Sequence, residues 1–470
     1  MNLLTTFGIL SAFATIIVCT LNDASLYSAA GGLLLAPLMY SVFLLLYSTY
    51  NYGRKHYISV TVRVTVIIQW VRVVLLPFTG VLSGYYSSLQ GSNGATACYL
   101  FLYENFVIYI LLMILSKNDR KRQRIRNDND ISIHSSLHGT GFMYFLFGLV
   151  AMAAYFLFLR GSKIFSFVVL DAQKSVVEAE EGNDSIALYV FLMAVILIVL
   201  YITEKCSDKY NRTGNKIWIY IALAICLLRI LLLTSSGRMG QVYICFGLGA
   251  VLMALFPQQR KGILYSILTV SAIVIISVSI YKTFYVSAFG NYKTAVQSSS
   301  KDLNLIATQI DGYLAGPGMI SSNLSFIESN NVPYSTLFYD IGRNIFGLHY
   351  LFKGDRVGTV GLYNLWMYGG RKSGGYLFSG TAYSSLYFSP VLAPLSVIIC
   401  LCFAHYFERK AKDTNFIEWK YLHTLAFSRL ILCAYIAFTG SLNIISRNYI
   451  LFGIVISASH YFVIRGKNRS

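Results

Sequence analysis

"LLLTSSGRMGQVY" (Leu231–Tyr243) joins two apolar runs, each long enough to enter a lipid bilayer. A serine pair, two glycines and an arginine interrupt the hydrophobic pattern, so this stretch is a junction between two spans. The rest of the chain repeats the pattern. Of its 470 residues 56% are hydrophobic and only 12% are charged, and the mean hydropathy is +0.58. Soluble proteins carry about 25% charged residues. The apolar residues also come in blocks of about 15 to 25, the length that crosses about 30 Å of hydrocarbon. These features define an all-α, polytopic integral membrane protein. The first block, near Leu3–Thr20, lacks a basic leader and a small-residue cleavage site and reads as a retained span.

Twelve spans are expected, at roughly 2–21, 29–49, 60–84, 96–115, 141–160, 185–203, 217–234, 240–256, 263–285, 384–404, 421–441 and 448–464. The connections "NYGRKH" (51–56), "KNDRKRQRIRNDND" (117–130), "EKCSDKYNRTGNK" (204–216), "QQRKG" (258–262) and "ERKAKDTNFIEWK" (408–420), with the tail "RGKNRS", are all basic. They share one side if both termini are cytoplasmic, as the positive-inside rule requires, and Trp218 and Trp419 then mark cytoplasmic helix ends. The net charge of +18 therefore faces anionic headgroups and does not call for a nucleic-acid partner. Residues 1–285 carry spans one to nine, 286–383 a large external loop with short helices, and 384–470 the last three spans, in one membrane-embedded domain. A loop this long exceeds what a connector needs, and long loops tend to be functional. A smaller external segment carries "EAEEGND" (178–184). Six of the eight cysteines lie in apolar runs, and no paired spacing suggests disulfides or zinc.

In this topology Arg238 lies outside, in the first turn of the eighth span, behind "TSSG" (Thr234–Gly237), whose hydroxyls, Ser236 among them, suit a helix cap. A helix N-terminus beside an arginine is an anion site; the plainer reading is an arginine anchored at the headgroups. Arg343, Lys353, Arg356, Arg371 and Lys372 lie in the long loop, and Arg447 between the last two spans. Guanidinium forks suit phosphate, although such charges are more often a solvated surface. "GGRKSGG" (369–375) lets backbone N–H groups approach an anion but is not a nucleotide-binding P-loop. Arg63, Arg72, Arg229 and Arg429 fall inside spans, where each costs about 2.5–3.5 kcal/mol at the bilayer centre, so they should face the protein interior or water. Arg72 is a candidate partner of Glu104 in the next span, and Arg229 a second phosphate contact from the membrane side. Asp302, Asp311, Glu328, Asp340, Asp355 and His349 are the external acids and bases. His349 suits proton transfer near neutrality, although a lone loop histidine is more often incidental. Trp366 and the tyrosines of "LYNLWMYGG" (362–370) suit either a sugar platform or the loop's own small core.

Three stretches together resemble the oligosaccharide repeat-unit polymerases of the O-antigen and capsule polymerase (Wzy) family. They are "TSSGRMGQ" between spans seven and eight, "QIDGYLAGPGMISSN" (309–323), whose Tyr313-x-x-Gly316-Pro317 core looks like that family's external Y-x-x-G-P segment, and "GGYLFSGTAYSSLYFSP" (374–390). Span count and the single long loop agree along most of the chain. Arg343-x10-Gly354 fits a further family pattern, as does Arg238 with Gly249. Many relatives place an acid just before the span after the long loop, whereas this chain reads "YSSLYFSP" (383–390) there. The resemblance implies transfer of a growing glycan from its undecaprenyl diphosphate to the next lipid-linked unit, on the external face of a bacterial plasma membrane. It implies no cofactor, metal or nucleotide sugar, and it leaves room for a chain-length regulator as partner. Arg238, Ser236, Arg371, Lys372 and Arg229 would then hold the diphosphate, Arg343 would neutralise charge at the reacting centre, His349 would act as base, and Trp366 and Tyr313 would contact sugar.

A lipid-linked oligosaccharide flippase or other transporter has the same span count. Transporters, however, are commonly built from internal repeats with broken helices, and neither is legible here. An O-antigen ligase-like glycosyltransferase shares the architecture and differs in acceptor.

Overall fold

The computed structural model describes residues 3–22, 31–51, 59–90, 92–126, 135–158, 186–231, 238–281, 303–352, 356–370 and 377–467. Among them the chain is helical, with no strand, and six helices are long and apolar enough to cross a membrane: Val60–Leu82, Asn93–Asp119, Tyr189–Thr213, Pro257–Ile276, Pro390–Asp413 and Thr439–Tyr461. Five shorter apolar helices accompany them, at Thr5–Leu21, Leu35–Tyr50, Gly141–Leu157, Ile217–Ile230 and Gly240–Leu255. The chain divides into two compact units. Unit 1 comprises Met1–Ile131, Lys301–Tyr406 and Arg429–Ile444, and unit 2 comprises Ser132–Ser300, Phe407–Ser428 and Ile445–Ser470.

In unit 1, α1 (Leu3–Asn22) packs on α2 (Leu35–Asn51). The next span is α3 (Val60–Trp70), a π-helical turn (Val71–Leu75) and α4 (Leu76–Leu82). Pro77 explains the turn: it has no N–H for the ladder, and a wider turn relieves its ring against the preceding carbonyls. Two carbonyls there find partners on α1, since Thr15 Oγ1 donates to Val74 O at 3.4 Å and Cys19 Sγ to Pro77 O at 3.9 Å. Side-chain donors of this kind are what make a break tolerable in a membrane helix. The long helix α5 (Ser92–Arg126) follows and ends in its basic stretch.

The long loop does not stand apart as a free external domain. Its helices α11 (Leu303–Leu314) and α12 (Pro317–Ser329) form a hairpin that packs along α4 and α5. At its turn Ala315 takes a left-handed φ of 49°, and Pro317 starts α12, where its missing N–H costs nothing. Asp311 is buried and caps α12, accepting from Gly318 N at 3.0 Å and Met319 N at 2.6 Å. Beyond the hairpin come α13 (Ser335–Arg343), α14 (Thr359–Met367) and α15 (Gly380–Tyr387), packed around Phe326, Leu337, Tyr363, Phe378, Tyr383 and Tyr387. The helical run ends at Tyr387, and beyond Ser389 a 3-10 turn (Pro390–Leu392) leads into α16 (Leu395–Asp413). The helix long enough to cross a membrane therefore begins near Pro390, later than the start expected at about 384.

The eleventh expected span, 421–441, is not continuous. Helix α17 (Ile417–Leu432) stops, and α18 (Thr439–Lys467) begins after a non-helical stretch. Residues 433–438 pair instead with the segment before α15: Gly380 N donates to Tyr435 O and Ala437 N to Phe378 O, both at 2.8 Å. Arg447, expected between spans, consequently lies inside α18, with its guanidinium 3.3 Å from the centre of the Tyr189 ring.

In unit 2, α6 (Gly141–Phe158) packs on α7 (Ile186–Thr213), α7 on α8 (Ile217–Leu231), and α9 (Arg238–Leu255) on α10 (Arg260–Tyr281). The strap before α6 is held by carboxylates. Glu418 accepts from His138 N at 2.9 Å and Tyr144 OH at 2.7 Å, and Glu204 from Leu137 N at 2.8 Å. A Cβ on Gly139 would meet the Tyr144 hydroxyl at 2.3 Å and Ser459 Oγ at 2.5 Å, so any larger residue there would have to displace those two side chains.

Candidate functional site

Near the middle of the span Val60–Leu82, Arg72 projects into unit 1 and not towards lipid. It and Glu104 of α5 are both fully buried and form an ion pair of 2.8 Å. The other end of the guanidinium donates to Ala315 O at the hairpin turn, at 2.9 Å. Its face lies over the rings of Tyr435 and Phe101, with centroids at 4.0 and 4.9 Å. The second oxygen of Glu104 accepts from the Thr381 hydroxyl of α15. Gln69, one turn before Arg72, donates to the Tyr435 hydroxyl at 3.2 Å, and Asn323 of α12 accepts from Ser379 N at 2.8 Å. Three interruptions in helical structure thus converge on one ion pair: the 314–317 turn, the approach to α15, and residues 433–438. Non-helical backbone at this depth persists because protein covers it and supplies its hydrogen bonds.

A second polar cluster lies in the loop. Asp340 of α13 is buried and accepts from Thr359 N at 3.1 Å, from Thr359 Oγ1 at 2.5 Å and from Tyr383 OH at 3.0 Å. Burial pushes its carboxyl above the ordinary range, against the pull of these hydrogen bonds and of the Arg343 charge. Asp340 caps α14 at its start. Asp311 and Asp340, two of the candidate bases, are therefore both engaged in holding helix starts.

Arg343 ends α13 on the exposed side, and its guanidinium and that of exposed Arg356 face the ring of Tyr339, at 5.8 and 5.5 Å. Trp366 is partly exposed and packs on Phe326 and Tyr363, so one side of the indole belongs to the loop's own core. Tyr313 is half-buried on α11, two residues before the turn that Arg72 holds. Gly369 and Gly370 take positive φ, 60° and 86°, in the turn after α14, and Arg371 and Lys372 lie outside the described residues. His349 falls in a short 3-10 turn, Leu348–Tyr350, and its side chain is outside the described part. In unit 2, the described part of α9 begins at Arg238, whose side chain lies outside the described part, and Ser236 lies outside it altogether. Arg229 is buried in α8, within electrostatic reach of Tyr421.

The Arg72–Glu104 pair was legible in the sequence as two opposite charges in consecutive spans. Its other partners were not: an alanine carbonyl, a threonine and a tyrosine carry no signal of their own. Among the described residues no three His, Cys, Asp or Glu side chains gather in a metal-binding group. Compared with known proteins, the chain matches no family model, no curated protein and no solved structure.

Proposed function

We propose that the protein is a membrane-embedded glycosyltransferase that polymerises undecaprenyl-diphosphate-linked oligosaccharide units at the external face of a bacterial plasma membrane, with both termini cytoplasmic. One observation carries the reading. The Tyr313–Pro317 segment, one of the three stretches that carry the family resemblance, is held through the Ala315 carbonyl by Arg72 of the Arg72–Glu104 pair in the middle of a span and does not hang free in a loop. A segment kept at that cost of buried charge has a position to hold. In the reaction a hydroxyl of the incoming unit attacks the anomeric carbon of the growing chain. The bond from that carbon to the diphosphate oxygen breaks, undecaprenyl diphosphate leaves, and the hydroxyl proton passes to a base. Arginines stabilise the charge gathering on the leaving diphosphate. In unit 1 that role falls to Arg343 with Arg371 and Lys372, in unit 2 to Arg238 with Ser236 and Arg229, and each set is testable separately. His349 is the proposed base, and the exposed part of Trp366, with Tyr313, the sugar contact.

The breaks at Val71–Leu75 and 433–438 favour a second reading, a transporter, since discontinuous helices often build substrate sites in carriers. Purified protein in detergent, given lipid-linked units alone, separates the two. A polymerase joins units without a sealed compartment, and a carrier leaves them unchanged. Arg238→Ala is expected to abolish joining in a protein that still purifies as a folded species. Normal product lengths from that variant would remove Arg238 from the site.

A further inference from the structure

We propose that α13 and the turn that follows it are an interfacial element, seated on the outer headgroup layer of an anionic phospholipid bilayer. The helix is two-faced. Leu337 and Asp340 are buried towards α14 and α15, while Tyr334 and Phe338, four residues apart, are 52% and 63% exposed. The turn beyond it adds Leu348, Tyr350 and Leu351, the last 79% exposed. From 331 to 352 the sequence holds one acid, Asp340, and it points inward to Thr359 and Tyr383. The outward charge is cationic: Arg343, and beside it Arg356, whose Nη2 donates to Ser335 Oγ at 2.5 Å.

The occupant follows from where this patch lies. The Tyr334 ring meets that of Tyr387, centroids 5.9 Å apart. The chain leaves Tyr387 through exposed Phe388, Val391 (71% exposed) and Leu392 directly into the span Pro390–Asp413. The exposed face of α13 is therefore continuous with the apolar start of a membrane helix and sits at its level. Aromatic rings and leucines backed by arginines are the composition that settles between acyl chains and phosphates. A protein partner would require this patch to stand clear of the bilayer, which that continuity opposes. The inference takes its side of the membrane from the proposed orientation, with both termini cytoplasmic, but the seating itself does not depend on the polymerase reading.

Phe338→Trp tests it in the full-length protein, because the position is exposed and the change leaves the core alone. The protein is reconstituted in vesicles of brominated phosphatidylcholine, with and without phosphatidylglycerol, and its emission is compared with that of the wild-type protein. The added signal should be blue-shifted, quenched roughly twofold by the brominated chains and shielded from aqueous iodide. Phosphatidylglycerol should deepen the quenching, and Arg356→Ala should cancel that gain. Quenching by iodide but not by brominated lipid overturns the proposal. Protection from both quenchers overturns it too, because a protein surface would then be covering the patch.

Discussion

Glu104 and Asp340 are both buried acids of unit 1, and the protein treats them in opposite ways. Glu104 meets a full positive charge, Arg72, inside a span, and its remaining oxygen is taken by Thr381. Asp340 lies in the loop and meets mainly neutral donors, one backbone N–H and two hydroxyls, with Arg343 acting only at a distance. The contrast separates two uses of a buried carboxylate. Where four segments must be tied together at membrane depth, a charge pair supplies directional bonds to each of them. Where one helix start must be pinned, neutral donors suffice, and the carboxyl remains able to take up a proton.

The largest effect should come from breaking the charge pair. Glu104→Ala leaves Arg72 buried and unpaired, and such a loss costs about 3–5 kcal/mol. Denaturation in detergent should show it, and replacing both residues together with Leu and Met should recover much of the loss. If Glu104→Ala proved no worse than the same change at Asp340, the distinction between the two acids would fail. Asp340→Ala should cost less, about 1–3 kcal/mol, the penalty for orphaned donors on Thr359 and Tyr383.

The smallest effect, and the sharpest, is a pH dependence. Because burial raises the folded-state value of Asp340 above its unfolded one, the folded protein holds this proton over a window that opens near the ordinary carboxylate range. The unfolded chain has already released it there. The contribution is therefore fully present below the unfolded value and is lost as pH rises through the folded one. Asp340→Asn should flatten this component, so the difference between wild-type and variant melting temperatures should change between acidic and neutral pH. An unchanging difference would mean that the carboxyl does not titrate within that window.

Local hydrophobicity made most helices legible, because a run of apolar residues must satisfy its own backbone wherever water is absent. The pairing of Arg72 with Glu104 was readable for the same reason, since a charge in such a run has few places to go. The break at 433–438 was not readable. "CAYIAF" is apolar and continues the pattern of α17, and only its bonding to residues 378–380 stops the helix. The loop hairpin was equally hidden: "YLAGP" marks a turn, but nothing in those letters says that the Ala315 carbonyl will meet a guanidinium from a span more than two hundred residues earlier.

Taken alone, the order of residues determined that this chain is helical, apolar and membrane-embedded, because that follows from transfer free energies summed over short windows. Tertiary structure alone decided where helices stop short, that the long loop folds back onto α4 and α5, and which polar atoms share Arg72. Those outcomes depend on hydrogen bonds between distant segments, and such bonds gain their strength only once packing has removed the water that would compete for them.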